Sequence, residues 1–396
     1  MTVPAIEGGT PVRKTVLSFS PPDIHDKEMD AVRRVLQSKW ITSGKECKKF
    51  ESLLSKYVGS EHAVVLGSAT AGLFLSLKIE GIGDDDEVIT TPYTFAATAN
   101  VILHAGAHPV FADIEDESFL ISPEQIRKKI TARTKAIIPV HYGGHPAELD
   151  AIRDIAQKHS LIVIEDAAHA IGAEYHGYKI GSGKNPTVFS FHAVKNVTTA
   201  EGGAVTTDDE AFANELRLYS LHGQTKDAYS KLQLGGWEYD IAVPGYKFNM
   251  TDIQAALGIE QLKRVDENRV KREKIAKQYS DLLNAFDFVK PPSIKEGTTH
   301  GWNLYPLLID FSAMKIDRNR FIDALGAENI SSNVHFKPVH IMSYYRKTFG
   351  YKPLDFPVAY SLFLREVSLP IYPQMNRQDI NDVIEALSRI LHYYKK

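Results

Sequence analysis

The sequence predicts an α/β protein: a large domain on a mainly parallel sheet, followed by a smaller α+β domain. Three observations carry this. Seven short apolar runs rich in β-branched residues lie between about 60 and 210, with helical stretches between them. Strands apolar along their whole length, with no alternating polar face, are those of a parallel sheet covered by helices on both sides. After Pro291-Pro292 the rhythm changes to two strand-like segments and a long terminal helix. The length of 396 residues suits two or three domains at ~150 residues each.

Residues 1–25, with Gly8, Gly9, Pro11, Pro21 and Pro22, read as an irregular arm. Met29, Val32, Val35 and Leu36 recur at helical spacing, as do Phe50, Leu53, Leu54, Tyr57 and Val58. The loop between them holds Trp40. The seven strand runs are 63–66, 87–90, 109–112, 136–140, 161–164, 188–191 and 203–206. One helix over 250–284, with Ile253, Ala256, Leu257, Ile259 and Leu262, bridges to the remainder. Segments 300–309 and 333–336 read as strands. From Arg377 a helix carries Ile380, Val383, Ile384, Leu387 and Leu391 on one face. The expected domains are 1–264 and 265–396, with the N-terminal arm and first helix packing on the smaller one.

Composition narrows the function. Lys+Arg number 46 and Asp+Glu 49, a net charge of −3, so no bulk electrostatic attraction points to nucleic acid or to an anionic membrane. No run approaches the ~18 apolar residues of a membrane span. The start lacks a basic segment leading into an apolar one. The single cysteine, Cys47, forms no internal disulfide and suits a reducing compartment. The expectation is a cytoplasmic protein with neither nucleic acid nor membrane as partner.

Four places can carry chemistry. Glu165-Asp166 ends the run 161–164, and His169 follows. A carboxylate at the end of an apolar strand costs free energy to bury unless it meets a positive group. It is a helix cap or structural ion pair, part of a metal site with His169 and His141 or His145, or the partner of a protonated ring nitrogen. Lys195 follows the run 188–191 and precedes Glu201-Gly-Gly203. Among apolar neighbours its ammonium falls from a pKa of ~10.4, which makes a nucleophile able to form a Schiff base; the plain reading is a solvated loop lysine. Gly67-Ser-Ala-Thr70 joins a strand to a helix, either as an anion cup or as an ordinary cap. Phe95, just past the run 87–90, covers the flat face of a ring or is simply core.

Together these residues propose a phosphate cup, a stacking ring, an acid for a ring nitrogen and an amine for an aldehyde, the set that pyridoxal 5′-phosphate requires. The rivals are weaker. In a metal-dependent hydrolase His141-Tyr-Gly-Gly-His145 would need a helix that two glycines disfavour. Gly181-Ser-Gly-Lys184 has Tyr178 and Asn185 where a P-loop needs Gly and Ser or Thr.

Ser190-Phe-His-Ala-Val-Lys-Asn196 with Ala200-Glu-Gly-Gly203 resembles the DegT-type sugar-nucleotide aminotransferases, which are fold-type-I pyridoxal phosphate enzymes. The similarity continues in Glu165-Asp-Ala-Ala-His169, Gly67-Ser-Ala-Thr-Ala-Gly72, Pro92-Tyr-Thr-Phe95, Pro244-Gly-Tyr-Lys-Phe-Asn-Met-Thr-Asp252, His300-Gly-Trp-Asn-Leu304 and Val334-His-Phe-Lys-Pro-Val-His340. It spans nearly the whole chain. It implies that Lys195 forms the Schiff base with the cofactor aldehyde and Asp166 pairs with the pyridinium nitrogen. It places His169 near the ring hydroxyl, Phe95 on the ring, and Ala69, Thr70 and Ser190 at the phosphate. Asn249 resembles the asparagine that reaches the neighbouring subunit's phosphate, which implies a homodimer; the plain alternative is a helix cap before Asp252.

A dehydratase branch replaces the lysine with histidine, so the retained Lys195 favours transamination. The implied reaction moves an amino group from an amino acid, L-glutamate by expectation, to a ketone at C4 of a nucleotide-linked deoxy or pentose sugar, for surface polysaccharide. The resemblance is close to the type that makes UDP-4-amino-4-deoxy-L-arabinose. A 3-keto sugar nucleotide is the alternative acceptor. Trp40, Trp237, Trp302, His335 and Tyr345 are candidates for the substrate pocket or for core.

Overall fold

Strand Gly203–Thr207 lies between His62–Leu66 and Thr187–Ser190 and runs antiparallel to both. In this computed structural model, which describes residues 3–226, 229 and 238–396, every other pairing of the large sheet is parallel. Across the sheet, Thr187–Ser190 is followed by Ile162–Val163 with Glu165–Asp166, then Thr134–Ile138, Glu87–Thr90 and His108–Phe111. The two ladders join where Ile164 N–H donates to Ile137 O at 3.0 Å and Asp166 N–H to Pro139 O at 2.9 Å. All seven predicted runs are strands.

Successive strand residues point to opposite faces, and both faces are dry. Val64, Val188 and Val205 pack with Leu73, Leu77 and Leu216 on one side. Ala63, Val65, Phe189 and Ala204 pack with Phe50 and Leu54 on the other. Helices such as Ala69–Ile79 and Lys45–Val58 therefore cover the sheet on both sides.

The C-terminal part holds an antiparallel sheet of Val289–Lys290, Tyr305–Ile309 and Glu366–Leu369. Helices Val265–Leu283, Arg318–Ala327 and Arg377–Tyr394 share its core. Asn376 caps the last of them by accepting from Gln378 N–H and Asp379 N–H.

Four expectations are corrected. The helix over 250–284 is two helices, Asp252–Leu262 and Val265–Leu283. The break falls at Arg264, whose guanidinium turns back to Asp23 and Glu28. In 300–309 only Tyr305–Ile309 is strand, because Gly301 and Asn303 hydrogen-bond to Gly144 O and Gly143 O instead. Segment 333–336 contributes a single bridge, Asn333 to Ser368. The arm packs Leu17 into the C-terminal core, whereas the first helix, Asp26–Ser38, packs Ala31 and Val35 on Ala256. Among the described residues no helix is long and apolar enough to cross a membrane.

Candidate active site

The carboxyl ends of the parallel strands open into a cavity of about 440 Å³, where ligands of open α/β sheets sit. Its wall includes Ala69, Thr70, Phe95, Asp166, His169, Ser190 and Lys195, all the predicted site residues except Asn249.

Asp166 is 5% exposed. Thr98 Oγ1 donates to its Oδ2 at 2.8 Å and Ala168 N–H to its Oδ1 at 3.1 Å. Burial pushes the carboxyl pKa up, and these donors with the Lys195 charge oppose that. Its neighbour Glu165 points to the other face of the sheet. There it meets His141 at 3.2 Å, Arg153 at 3.1 Å and Asn185 at 3.4 Å. Burial pushes the Glu165 carboxyl up, but these partners hold it below the usual range.

Lys195 lies in the loop after Thr187–Ser190. Burial pushes its ammonium down to about 8, against the pull of Asp166. The amine is therefore partly neutral near physiological pH and able to act as a nucleophile or base.

His169 accepts the Gly143 N–H on Nδ1 at 3.2 Å, which assigns its proton to Nε2. Burial, reinforced by Lys195 and His335, holds its pKa well below the usual range. It is a neutral donor stacked on Phe336, with ring centroids 6.0 Å apart.

Helix Ala69–Ile79 starts at the cavity. Ser68 Oγ caps it by accepting the Ala71 N–H at 3.1 Å. The first-turn N–H groups of Ala69 and Thr70 have no partner within the helix, and such a helix start attracts anions. Gly203 makes this approach possible: a Cβ there would lie 2.4 Å from Ala69 N. Phe95 is 62% exposed, and its ring centroid is 6.0 Å from that of Phe336.

Asn249 stands apart, in a separate hollow with Ser43 and Met250. Its Nδ2 donates to Ser43 Oγ at 2.6 Å. It is not the helix cap: Thr251 accepts the Gln254 N–H, and Gln254 reaches back to Thr251 N–H. That capping box is visible in the sequence as Thr-x-x-Gln.

Sequence reasoning missed Thr98, Tyr142, Asn303 and Phe336. Thr98, Asn303 and Phe336 line the cavity, and Tyr142 donates to His335 O. No local pattern marks Thr98 or Tyr142 as site residues, whereas Asn303 and Phe336 stand inside the 300–304 and 334–340 motifs that carry the resemblance. His335 does line the cavity. Trp302 is buried on His300, Tyr345 bonds Asn100 at 2.7 Å, Trp40 donates to Ser43 O, and Trp237 lies outside the described residues.

The metal reading finds no support in this geometry. His141 Nδ1 accepts the Ala147 N–H, His145 Nε2 the Lys295 N–H and His169 Nδ1 the Gly143 N–H. Each therefore spends a potential ligand lone pair on backbone. No group of three metal-ligating side chains occurs among the described residues.

Pyridoxal phosphate fits the residues present: free helix N–H groups for its phosphate, a buried carboxylate with room for a cationic partner, and a desolvated amine. Comparison with known proteins agrees. The DegT/DnrJ/EryC1/StrS aminotransferase family matches residues 22–388. The chain is 51% identical over 381 residues to the uncharacterized protein MJ1066 of Methanocaldococcus jannaschii, covering 96% of this chain and 99% of that one. It is 46% identical to the spore coat polysaccharide biosynthesis protein SpsC of Bacillus subtilis, covering 96% and 98%. The putative sugar aminotransferase Spr1654 of Streptococcus pneumoniae in its PMP form superposes with a TM-score of 0.90 at 37% identity, covering 95% and 99%. A PLP form of the same protein matches at 0.89 and 36%, covering 96% and 99%. The chain belongs to the DegT/DnrJ/EryC1/StrS family and is a pyridoxal phosphate-dependent aminotransferase.

Proposed function

We propose that this aminotransferase moves an amino group from L-glutamate to the C4 ketone of a nucleotide-linked deoxy or pentose sugar, for a surface polysaccharide. The names of SpsC and Spr1654 support a sugar substrate within polysaccharide synthesis. The observation that carries the chemistry is one cavity holding a desolvated lysine, a buried aspartate that acts on its charge, and a helix start whose Ala69 and Thr70 N–H groups have no partner within the helix.

When bound, pyridoxal phosphate supplies an aldehyde and a protonated ring that withdraws negative charge from the carbon losing its proton. The residues do the rest. The N–H groups of Ala69 and Thr70, with the Ser190 hydroxyl, bind the phosphate. Asp166 keeps a proton on the ring nitrogen, as a carboxylate does for a cation it contacts. His169 donates from Nε2 to the ring oxygen, and Phe95 covers the ring face. The Lys195 amine takes a proton from the donor's α-carbon and returns one to the carbon that receives the amino group. Asn249 reaches the phosphate site of a second subunit, so the active unit is a homodimer. Each chain divides near residue 264 and works in the cytoplasm.

The test is a panel of nucleotide-linked 4-keto and 3-keto sugars with L-glutamate as donor, read by mass of the aminated product. A 4-keto substrate converted in preference to the 3-keto set supports the reading. Failure of every ketosugar while another acceptor class is aminated overturns it.

A further inference from the structure

The cavity wall also includes His335, and behind it lies a buried acid that the mechanism above does not use. His335 Nδ1 is 2.9 Å from Ser368 Oγ. Ser368 Oγ is in turn hydrogen-bonded to Glu366 Oε1. Glu366 Oε2 closes the ring by accepting the His335 backbone N–H at 2.9 Å. Glu366 and Ser368 are both fully buried. His335 Nε2 has no hydrogen-bond partner among the described residues.

Counting protons along carboxyl, hydroxyl and imidazole leaves two arrangements. With Glu366 ionised, Ser368 donates to Glu366, so His335 must donate from Nδ1, and its Nε2 is bare. With Glu366 protonated, Glu366 donates to Ser368, Ser368 donates to Nδ1, and the imidazole proton sits on Nε2. We propose that Glu366, acting through Ser368, is a positioning residue that sets which nitrogen of His335 carries the proton. The cavity then meets an N–H donor in one state and a bare acceptor in the other. The donor state suits an anionic oxygen such as a carboxylate of the amino donor; only this consequence rests on the proposed reaction.

The surroundings put the change within reach. Burial pushes the Glu366 carboxyl up to about 8, against Ser368, the His335 N–H and the Arg318 charge. The phenols of Tyr93 and Tyr142 also face it. His335 is held down to about 4 by burial and by Lys195, so it stays neutral while Glu366 titrates. Phe19 and Phe336 flank its ring, His169 faces it, and Tyr142 binds its carbonyl. Loss of the Lys195 charge in the same pH range leaves His335 neutral and moves no proton between its nitrogens.

The experiment reads the tautomer directly, by long-range 1H–15N correlation on cofactor-loaded protein with 15N-histidine, assigned with His335→Asn. Wild type is expected to carry the proton on Nε2 at pH 6.5 and on Nδ1 by pH 9.5. Glu366→Gln and Ser368→Ala abolish the swap, while Ser368→Thr, which keeps the hydroxyl, retains it. A constant wild-type tautomer over this range, or a swap that survives in Ser368→Ala, overturns the proposal. No turnover is needed, so failure with every ketosugar leaves this result standing, and a fixed tautomer leaves the aminotransferase assignment standing.

Discussion

The Thr98 hydroxyl, 2.8 Å from Oδ2 of Asp166, makes the only side-chain hydrogen bond to that carboxylate among the described residues. Hydrogen bonds to charged groups contribute about 1.5–3 kcal/mol. Thr98→Val is therefore expected to weaken pyridoxal phosphate retention by about tenfold or more, measured by dialysis and absorbance, whereas Thr98→Ser stays close to wild type. Equal retention in all three proteins would remove Thr98 from this role.

Lys195→Ala is expected to hold the cofactor but lose at least about 10²–10⁴-fold in turnover, the range of a positioned acid–base group. The wild-type amine reacts only when neutral. Because burial lowers its pKa to about 8, the rate of cofactor rebinding to the apo-protein should rise with pH and level off above about 8. Stopped-flow absorbance follows it. A plateau reached only near pH 10 would mean that the amine is solvated.

Mixing two inactive proteins tests the shared site. A Lys195→Ala chain paired with an Asn249→Ala chain restores one complete site per heterodimer if Asn249 serves the other subunit. Activity should reappear after denaturation and refolding of the mixture. Recovery no greater than the sum of the separately refolded proteins would return Asn249 to a structural role beside Ser43.

Gly203→Ala puts a Cβ against the Ala69 and Ser68 backbone, which cannot swing aside. Overpacking of this kind costs about 1–3 kcal/mol. A lower Tm with weaker phosphate binding is expected, because the displaced element is the helix start itself. Unchanged phosphate affinity would show that the cup does not depend on this contact.

The seven strands were legible because a strand buried on both faces is written as a continuous apolar run. Asp166 is legible because it ends such a run and Lys195 because it follows one, whereas Ser190 is marked only by the family resemblance. The break at Arg264 was not, since Asp23 and Glu28, which hold it, come from the opposite end of the chain. Thr98 was hidden for a similar reason: it belongs to no periodic pattern that distinguishes a cavity from core. The cap at Thr251 is readable through Gln254, and the plain alternative for Asn249 places it two residues too early.

Glu165 and Asp166 are adjacent, yet one faces His141 and Arg153 while the other faces the cavity. The pleat thus works as a selector between two acids. Slipping this strand by a single position would present the longer acid to the ligand and strand an aspartate among partners spaced for a glutamate. Insertions or deletions between Leu161 and Asp166 should therefore be far less tolerated than side-chain replacements there, since phase rather than composition chooses the acid.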